Sequence, residues 1–185
     1  MTTSETPRVI GLDLSLTSSG VASSLGWTDT IRPKKNRTGL RGLDRLRMIV
    51  DSVRSYTSGY DLVVIEGPSF GHSGFRQHEE LVALRWMVRD VVDRQQVPFA
   101  IVPPATLKLY AVGKGNAKKA DMAQAMDQAY PGRTPGFLDG RRFDEADALA
   151  LADMGAAYLT NASLTAAQTR AMAAVQWPEI LEVSR

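Results

Sequence analysis

The chain opens on an alternation. In VIGLDLSLTSSGV, residues 9–21, Ile10, Leu12, Leu14 and Leu16 share one side of an extended chain, while Gly11, Asp13 and Ser15 share the other, because successive strand side chains point to opposite faces. The apolar side wants a core, and the small, polar side leaves space above a sheet. SSGVASSLGW, residues 18–27, reads as a second strand reached through a tight turn rich in Ser and Gly, and a short third strand at residues 28–31 makes an antiparallel meander. The period then changes. LRGLDRLRMIVDSVRSY carries Leu43, Leu46, Ile49, Val50 and Val53 at helical spacing and ends near Gly59. DLVVIEG is the near-continuous apolar run of a central parallel strand. The Gly-rich loop GPSFGHSGF leads to a long helix over residues 77–95, VPFAIV forms another buried strand, and PPATLKLY is a short helix with Pro at its start. Helices over 117–130 and 144–160 follow, and an Ala-rich helix over 165–175 precedes a short tail.

This order predicts an α/β fold, with a mixed five-stranded sheet of three antiparallel strands and then parallel strands, flanked by helices. No internal repeat and no interdomain linker interrupts it. The 185 residues fit one domain with a self-sufficient core, and 44% hydrophobic with 23% charged residues is ordinary globular composition. No apolar run approaches the ~18 residues of a membrane helix, and MTTSETPR has no signal-peptide stretch, so the expectation is a cytoplasmic protein with no membrane partner. Cysteine is absent, which removes disulfides, thiolate metal sites and thiol nucleophiles.

Net charge is only +2, but its distribution is uneven. From Arg94 to Ala120 there is no acid, while Arg94, Lys108, Lys114, Lys118 and Lys119 are basic. Arg32, Lys34, Lys35, Arg37 and Arg41 form a second acid-free stretch. Such clusters on a near-neutral chain are the footprint of a polyanion partner or, more plainly, solvated faces.

Asp13 sits in the middle of an apolar strand, where an unpaired carboxylate is costly. Either the second face of that strand is wet, or the acid belongs to a site. Three other acids bear on the choice. Glu66 ends DLVVIEG immediately before Gly67-Pro68, and Asp144 and Asp147 open the helix DEADALALADMGAAY at i and i+3 on one face. That face continues as Leu151, Met154 and Tyr158, so both aspartates lie on its buried stripe. An acid at a helix start also resembles a capping box and complements the helix dipole. A cap, however, has no need of the buried stripe, and the run of Ala146, Ala148, Ala150 and Ala152 lets this helix come close to the sheet. Four carboxylates, no cysteine and only two histidines favour hard, oxygen-liganded ions. Two carboxylate-bound Mg²⁺ ions roughly 3.5–4 Å apart cleave phosphodiesters by activating a water and stabilising the leaving oxygen. Acids gathered in a protein with basic flanks suit that chemistry.

Four blocks in order, GLDLSLTSSGVA, DLVVIEG, PATLKLYAVGKGNAKKADM and FDEADALALA, resemble the RuvC family of Holliday junction resolvases in the RNase H-like superfamily. The resemblance runs from residue 9 to about 160. It implies that residues 8–160 form an RNase H-like nuclease domain, between a disordered tail at 1–7 and a C-terminal helical extension at 161–185. It makes Asp13, Glu66, Asp144 and Asp147 the catalytic and metal-binding acids. Lys108 and Lys119 fall on family lysines that face DNA, Lys119 closing the G-x-G-x-A-x-K pattern of residues 113–119 and joining the catalytic set. The basic clusters add Lys114, Lys118, Lys34, Lys35 and Arg37 as expected DNA contacts, and Phe70 or Phe75 is the candidate aromatic for the family's junction-probing loop. The implied enzyme resolves four-way junctions as a homodimer, with paired nicks, two ions of Mg²⁺ or Mn²⁺ in each active site, and no small-molecule substrate. The compact, divergent chain resembles versions carried by phages, particularly of actinobacteria.

The loop after Glu66, the bulky helix LVALRWMVRDVV and the tail beyond Asn161 depart from the family pattern. His72 and His78 read as loop polarity, and Trp27, Trp86 and Trp177 as packing residues. Other functions stay open: a YqgF-like nuclease acting on RNA, or a branched-DNA-binding module that does not cut. DLSLTSSG also resembles the phosphate-binding hairpin of actin-like kinases, but that architecture needs two such domains.

Overall fold

The computed structural model describes residues 6–33, 41–68, 75–132 and 136–180. Strands β1 (Val9–Asp13), β2 (Ser19–Ser23) and β3 (Thr28–Ile31) precede helix α1 (Gly42–Thr57). Then come β4 (Leu62–Glu66), α2 (Phe75–Arg94), β5 (Phe99–Val102), α3 (Pro104–Val112), α4 (Lys119–Ala129), α5 (Phe143–Thr160) and α6 (Ala166–Ala173). The sheet order is β3-β2-β1-β4-β5, antiparallel from β3 to β1 and parallel from β1 to β5. This is the mixed sheet that the alternating and continuous apolar runs predict. No helix among the described residues is long and apolar enough to cross a membrane.

Alternation along the strands divides the interior in two. Ile10, Leu12, Val63 and Ile65 face α1 and α2, where Leu46, Ile49, Leu84 and Val88 are buried. Val9, Leu62 and Val64 face α5, with α3, α4 and α6 packed beyond it. The second strand is shorter than its pattern suggests. It ends at Ser23 because Gly26, at φ 98°, turns the chain so that the Ser23 amide bonds to the Trp27 carbonyl at 2.9 Å.

The small face of β1 is not wet. A Cβ on Gly11 would lie 1.9 Å from the Ala148 carbonyl oxygen, and one on Gly20 would lie 1.9 Å from the Asp144 carbonyl oxygen. Helix α5 therefore rests with its backbone directly on β1 and β2. Its side chains Ala146, Ala148, Ala150 and Ala152 are all fully buried, which is how the helix comes so near. Leu149, Leu151 and Met154, also fully buried, anchor it, each contributing roughly 1.5–3 kcal/mol through the apolar surface removed from water.

The tryptophans divide. Trp27 packs on Tyr56 and Trp177 stacks on Tyr158 with ring centroids 4.5 Å apart. Trp86 does not pack into the interior. The inward stripe of α2 runs through Leu84, Val88 and Val92, leaving Trp86 65% exposed beneath the guanidinium of Arg89.

Candidate active site

Asp13 is the last residue of β1 and Glu66 the last of β4. These strands are parallel neighbours, with Leu12 opposite Ile65, so both acids leave the sheet at the same end. Counting back in twos from Asp13 gives Gly11 and Val9, and from Glu66 gives Val64 and Leu62, so both side chains rise on the face that α5 covers. Across the antiparallel pair, Asp13 lies opposite Gly20, whose missing side chain admits the first turn of α5. That turn carries Asp144, and Asp147 follows one turn on. From the other side, the Lys119 Nζ at the start of α4 comes within 3.5 Å of the Asp144 carboxylate. The structure thus brings together Asp13, Glu66, Asp144, Asp147 and Lys119 from four separate stretches of chain.

Their electrostatics show the crowding. Asp13 and Glu66 hydrogen-bond to each other, and burial first, then neighbouring negative charge, pushes both carboxyls above the ordinary range. Glu66 is the more strongly raised of the two. Asp147 is lifted from its ordinary 3.8 to about 7, by burial and then by the Asp13 charge, with Lys119 opposing. Burial pulls the Lys119 ammonium down, but the charges of Asp144, Asp13 and Asp147 outweigh it and raise it above its usual value. A pocket that raises its acids in this way favours a proton or a cation inside it.

The remaining sequence candidates are spread more widely. Lys108, on α3, is near enough for its charge to be felt by Asp147. Lys114 and Lys118 are exposed on the connection between α3 and α4, and His78 is exposed on α2. Lys34, Lys35, Arg37, Phe70 and His72 lie outside the described residues, as does the side chain of Phe75, whose backbone begins α2.

Two charged residues near the site escaped the sequence reading. Glu145 is only 7% exposed and accepts from the hydroxyls of Thr28 at 2.7 Å and Thr30 at 3.0 Å on β3, and from the Arg142 guanidinium at 3.1 Å. It fastens the first turn of α5, between Asp144 and Asp147, to the edge of the sheet. Its trace in the sequence is the pair of threonines at alternate positions of β3. Arg85 is 8% exposed on the inward stripe of α2, its Nε without a hydrogen-bond partner among the described residues, and its charge reaches Glu66 and Asp13. Its trace is a cation interrupting the Leu84–Val88 stripe.

No family model matches the sequence, and no curated protein does. Solved structures do. A structure of Thermus thermophilus RuvC superposes with a TM-score of 0.62 at 16% identity, over 85% of this chain and 98% of that one. The same protein in complex with a Holliday junction substrate superposes at 0.60 with 18% identity, over 79% of this chain and 90% of that one. The chain has the RuvC fold. The mixed RuvC-like sheet with its flanking helices agrees with the architecture expected from the four sequence blocks. At this identity the likeness concerns the path of the backbone, and the chemistry must be argued from this chain's own side chains.

Proposed function

We propose that the protein is a metal-dependent, structure-selective endonuclease that resolves four-way DNA junctions by paired phosphodiester hydrolysis, as a cytoplasmic homodimer. One observation carries the reading. Asp13, Glu66, Asp144 and Asp147 gather with Lys119 at one end of the sheet, in a fold shared with a RuvC solved on a Holliday junction.

The donor set suits Mg²⁺ or Mn²⁺. It consists of carboxylates alone, in a chain without cysteine, and burial makes its negative charges expensive until a cation joins them. As the side chains lie, no three acids or histidines among the described residues stand at the spacing of one ion's ligands. Asp13 is instead bonded to Glu66, and Asp144 to Lys119. Asp13, Glu66, Asp144 and Asp147 are the residues that would hold the ions, in place of those two contacts. Two such ions supply the activation of water and the stabilisation of the leaving oxygen in phosphodiester cleavage.

The chain's own residues do the rest. Lys119 carries a fixed positive charge beside Asp144, where it can steady the attacked phosphate. Lys108, Lys114 and Lys118 hold the backbone, with Lys34, Lys35 and Arg37 as further contacts. Phe70 or Phe75 supplies the aromatic that probes the junction. Arg85 counters the charge of Glu66 and Asp13 from the α2 side of the sheet.

The test is a synthetic four-way junction incubated with Mg²⁺, beside linear duplex, flap and structured RNA. The expected result is a pair of nicks in strands of like polarity, on the junction alone. Asp13→Asn, Glu66→Gln, Asp144→Asn and Asp147→Asn should each abolish cutting and leave junction binding largely intact. Preferential cutting of RNA, or tight junction binding without any nicking by the unaltered protein, overturns the proposal.

A further inference from the structure

Further along α5 from the acid pair stands Asp153, which the site chemistry does not use. It accepts a hydrogen bond from the Tyr110 hydroxyl at 2.8 Å and another from the Tyr130 hydroxyl. Tyr110 is buried on α3, two residues after Lys108, and Tyr130 caps the end of α4, whose first residue is Lys119. One carboxylate therefore ties two helices to a third. Burial, and then the Asp153 charge, pushes the Tyr110 phenol above its ordinary range, so it stays a donor.

The connection has a geometry that matters for the site. Helix α4 meets α5 at both ends, through Lys119 and Asp144 at one and through Tyr130 and Asp153 at the other. Between them the contact is apolar, with Met122 and Met126 among the residues buried in the shared core. Apolar contacts are nondirectional and tolerate sliding, and methionine is the most adaptable of core side chains. A carboxylate with two fixed donors is directional. It also costs more to place beside a core than an alkyl group would. Asp153 lines a cleft of about 310 Å³ between α3, α5 and α6, together with Thr160, Ser163 and Gln168, which lessens that cost.

We propose that Asp153 is a positioning residue that sets the register of the lysine-bearing helices α3 and α4 on the acid-bearing helix α5, and so where Lys108 and Lys119 stand against Asp144 and Asp147. The inference rests on the proposed function, since it takes the acid and lysine cluster as the reacting site.

The experiment is a double-mutant cycle of Asp153→Ala with Lys119→Ala, read as the single-turnover cleavage rate of a four-way junction. Asp153→Asn is the conservative variant. Tyr130→Phe removes only the α4 tie, and stands in should Asp153→Ala fail to fold. Tyr158→Phe is the control, because it breaks a hydrogen bond from the same helix to the Pro178 carbonyl. Asp153→Ala should slow cutting about tenfold, within the range of couplings inside one hydrogen-bonded network. The double variant should be no slower than Lys119→Ala alone, and Asp153→Asn should recover much of the rate. Additive losses, or an equal loss in Tyr158→Phe, would mean general loosening and overturn the proposal. A second reading needs no DNA: the side-chain resonances of Lys119 should shift in Asp153→Ala and Tyr130→Phe and stay put in Tyr158→Phe. If the unaltered protein does not cut junctions, the proposed function fails, while those resonances still decide whether Asp153 positions Lys119. Unmoved resonances overturn the positioning role.

Discussion

The carbonyl oxygen of Asp144 occupies the space where Gly20 would carry a side chain, 1.9 Å from the position of a Cβ. Gly20 is also the residue opposite Asp13 in the β1–β2 ladder. One missing methyl group thus sets the first turn of α5 beside the strand carboxylate, joining acids that lie far apart in sequence. Gly20→Ala should force that turn off the sheet, because the atom in the way is backbone. Overpacking of this kind costs about 1–3 kcal/mol. We expect a lower melting temperature, a folded protein, and a loss of junction cutting much larger than the loss of junction binding. Normal cutting by the folded variant would mean that the site tolerates displacement of Asp144.

The raised carboxyls make a prediction about the protein in chelator, without metal. Asp147 titrates at about 7 folded and at 3.8 ordinarily, and Glu66 is raised as well. An acid that holds its proton more tightly when folded makes its full contribution below its ordinary value, and that contribution is lost as pH rises through its folded value. Asp147→Asn cannot lose a proton. Its melting temperature should match the unaltered protein near pH 4 and exceed it by a growing margin up to about pH 8. Thermal unfolding across that range decides the matter, and a margin that is flat or shrinks with pH would refute the crowding of these acids.

In the proposed function the lysines meet DNA through charge. Lys119→Ala and Lys108→Ala should each weaken junction binding and flatten its dependence on salt, by up to about one unit of slope per lost phosphate contact. Lys119 stands beside Asp144, so its variant should also lose more rate than affinity. Binding titrations at several salt concentrations separate the two effects. An unchanged slope in both variants would return them to the solvated surface.

Much of this arrangement was legible in the chain because it follows from alternation. Asp13 in an apolar strand, Glu66 at a strand end and the Asp144–Asp147 pair on a buried stripe each mark a face, and the faces turned out to meet. What the pattern left open was the covering of Gly11. A strand shows whether a face is small, but the helix that fills it arrives more than a hundred residues later, and only its alanines hint at the fit. Glu145 and Arg85 were illegible for a related reason. Each looks like an ordinary surface charge on its own helix, and becomes distinctive only when β3 or the ends of β1 and β4 are brought against it.

Assembly follows from the shape of the proposed substrate. A four-way junction offers two symmetry-related strands, so an enzyme that cuts both is best built as a two-fold dimer with one site in each subunit. Helix α2 offers the surface. Val82 is 38% exposed and Trp86 65%, one turn apart, with the Arg89 guanidinium 4.9 Å above the indole. Large exposed aromatics with a stacked arginine are typical of the anchors of protein interfaces. The inward side of the same helix is held separately by Leu84, Val88 and Val92, so a change at Trp86 should spare the fold. Trp86→Glu places a charge at the centre of that surface. It should give a folded monomer that still nicks a junction but no longer makes its two cuts in one binding event, so that nicked circles accumulate from a supercoiled cruciform plasmid where the unaltered protein yields linear product. Sedimentation showing the unaltered protein to be monomeric, both free and bound to junction DNA, would sink the idea.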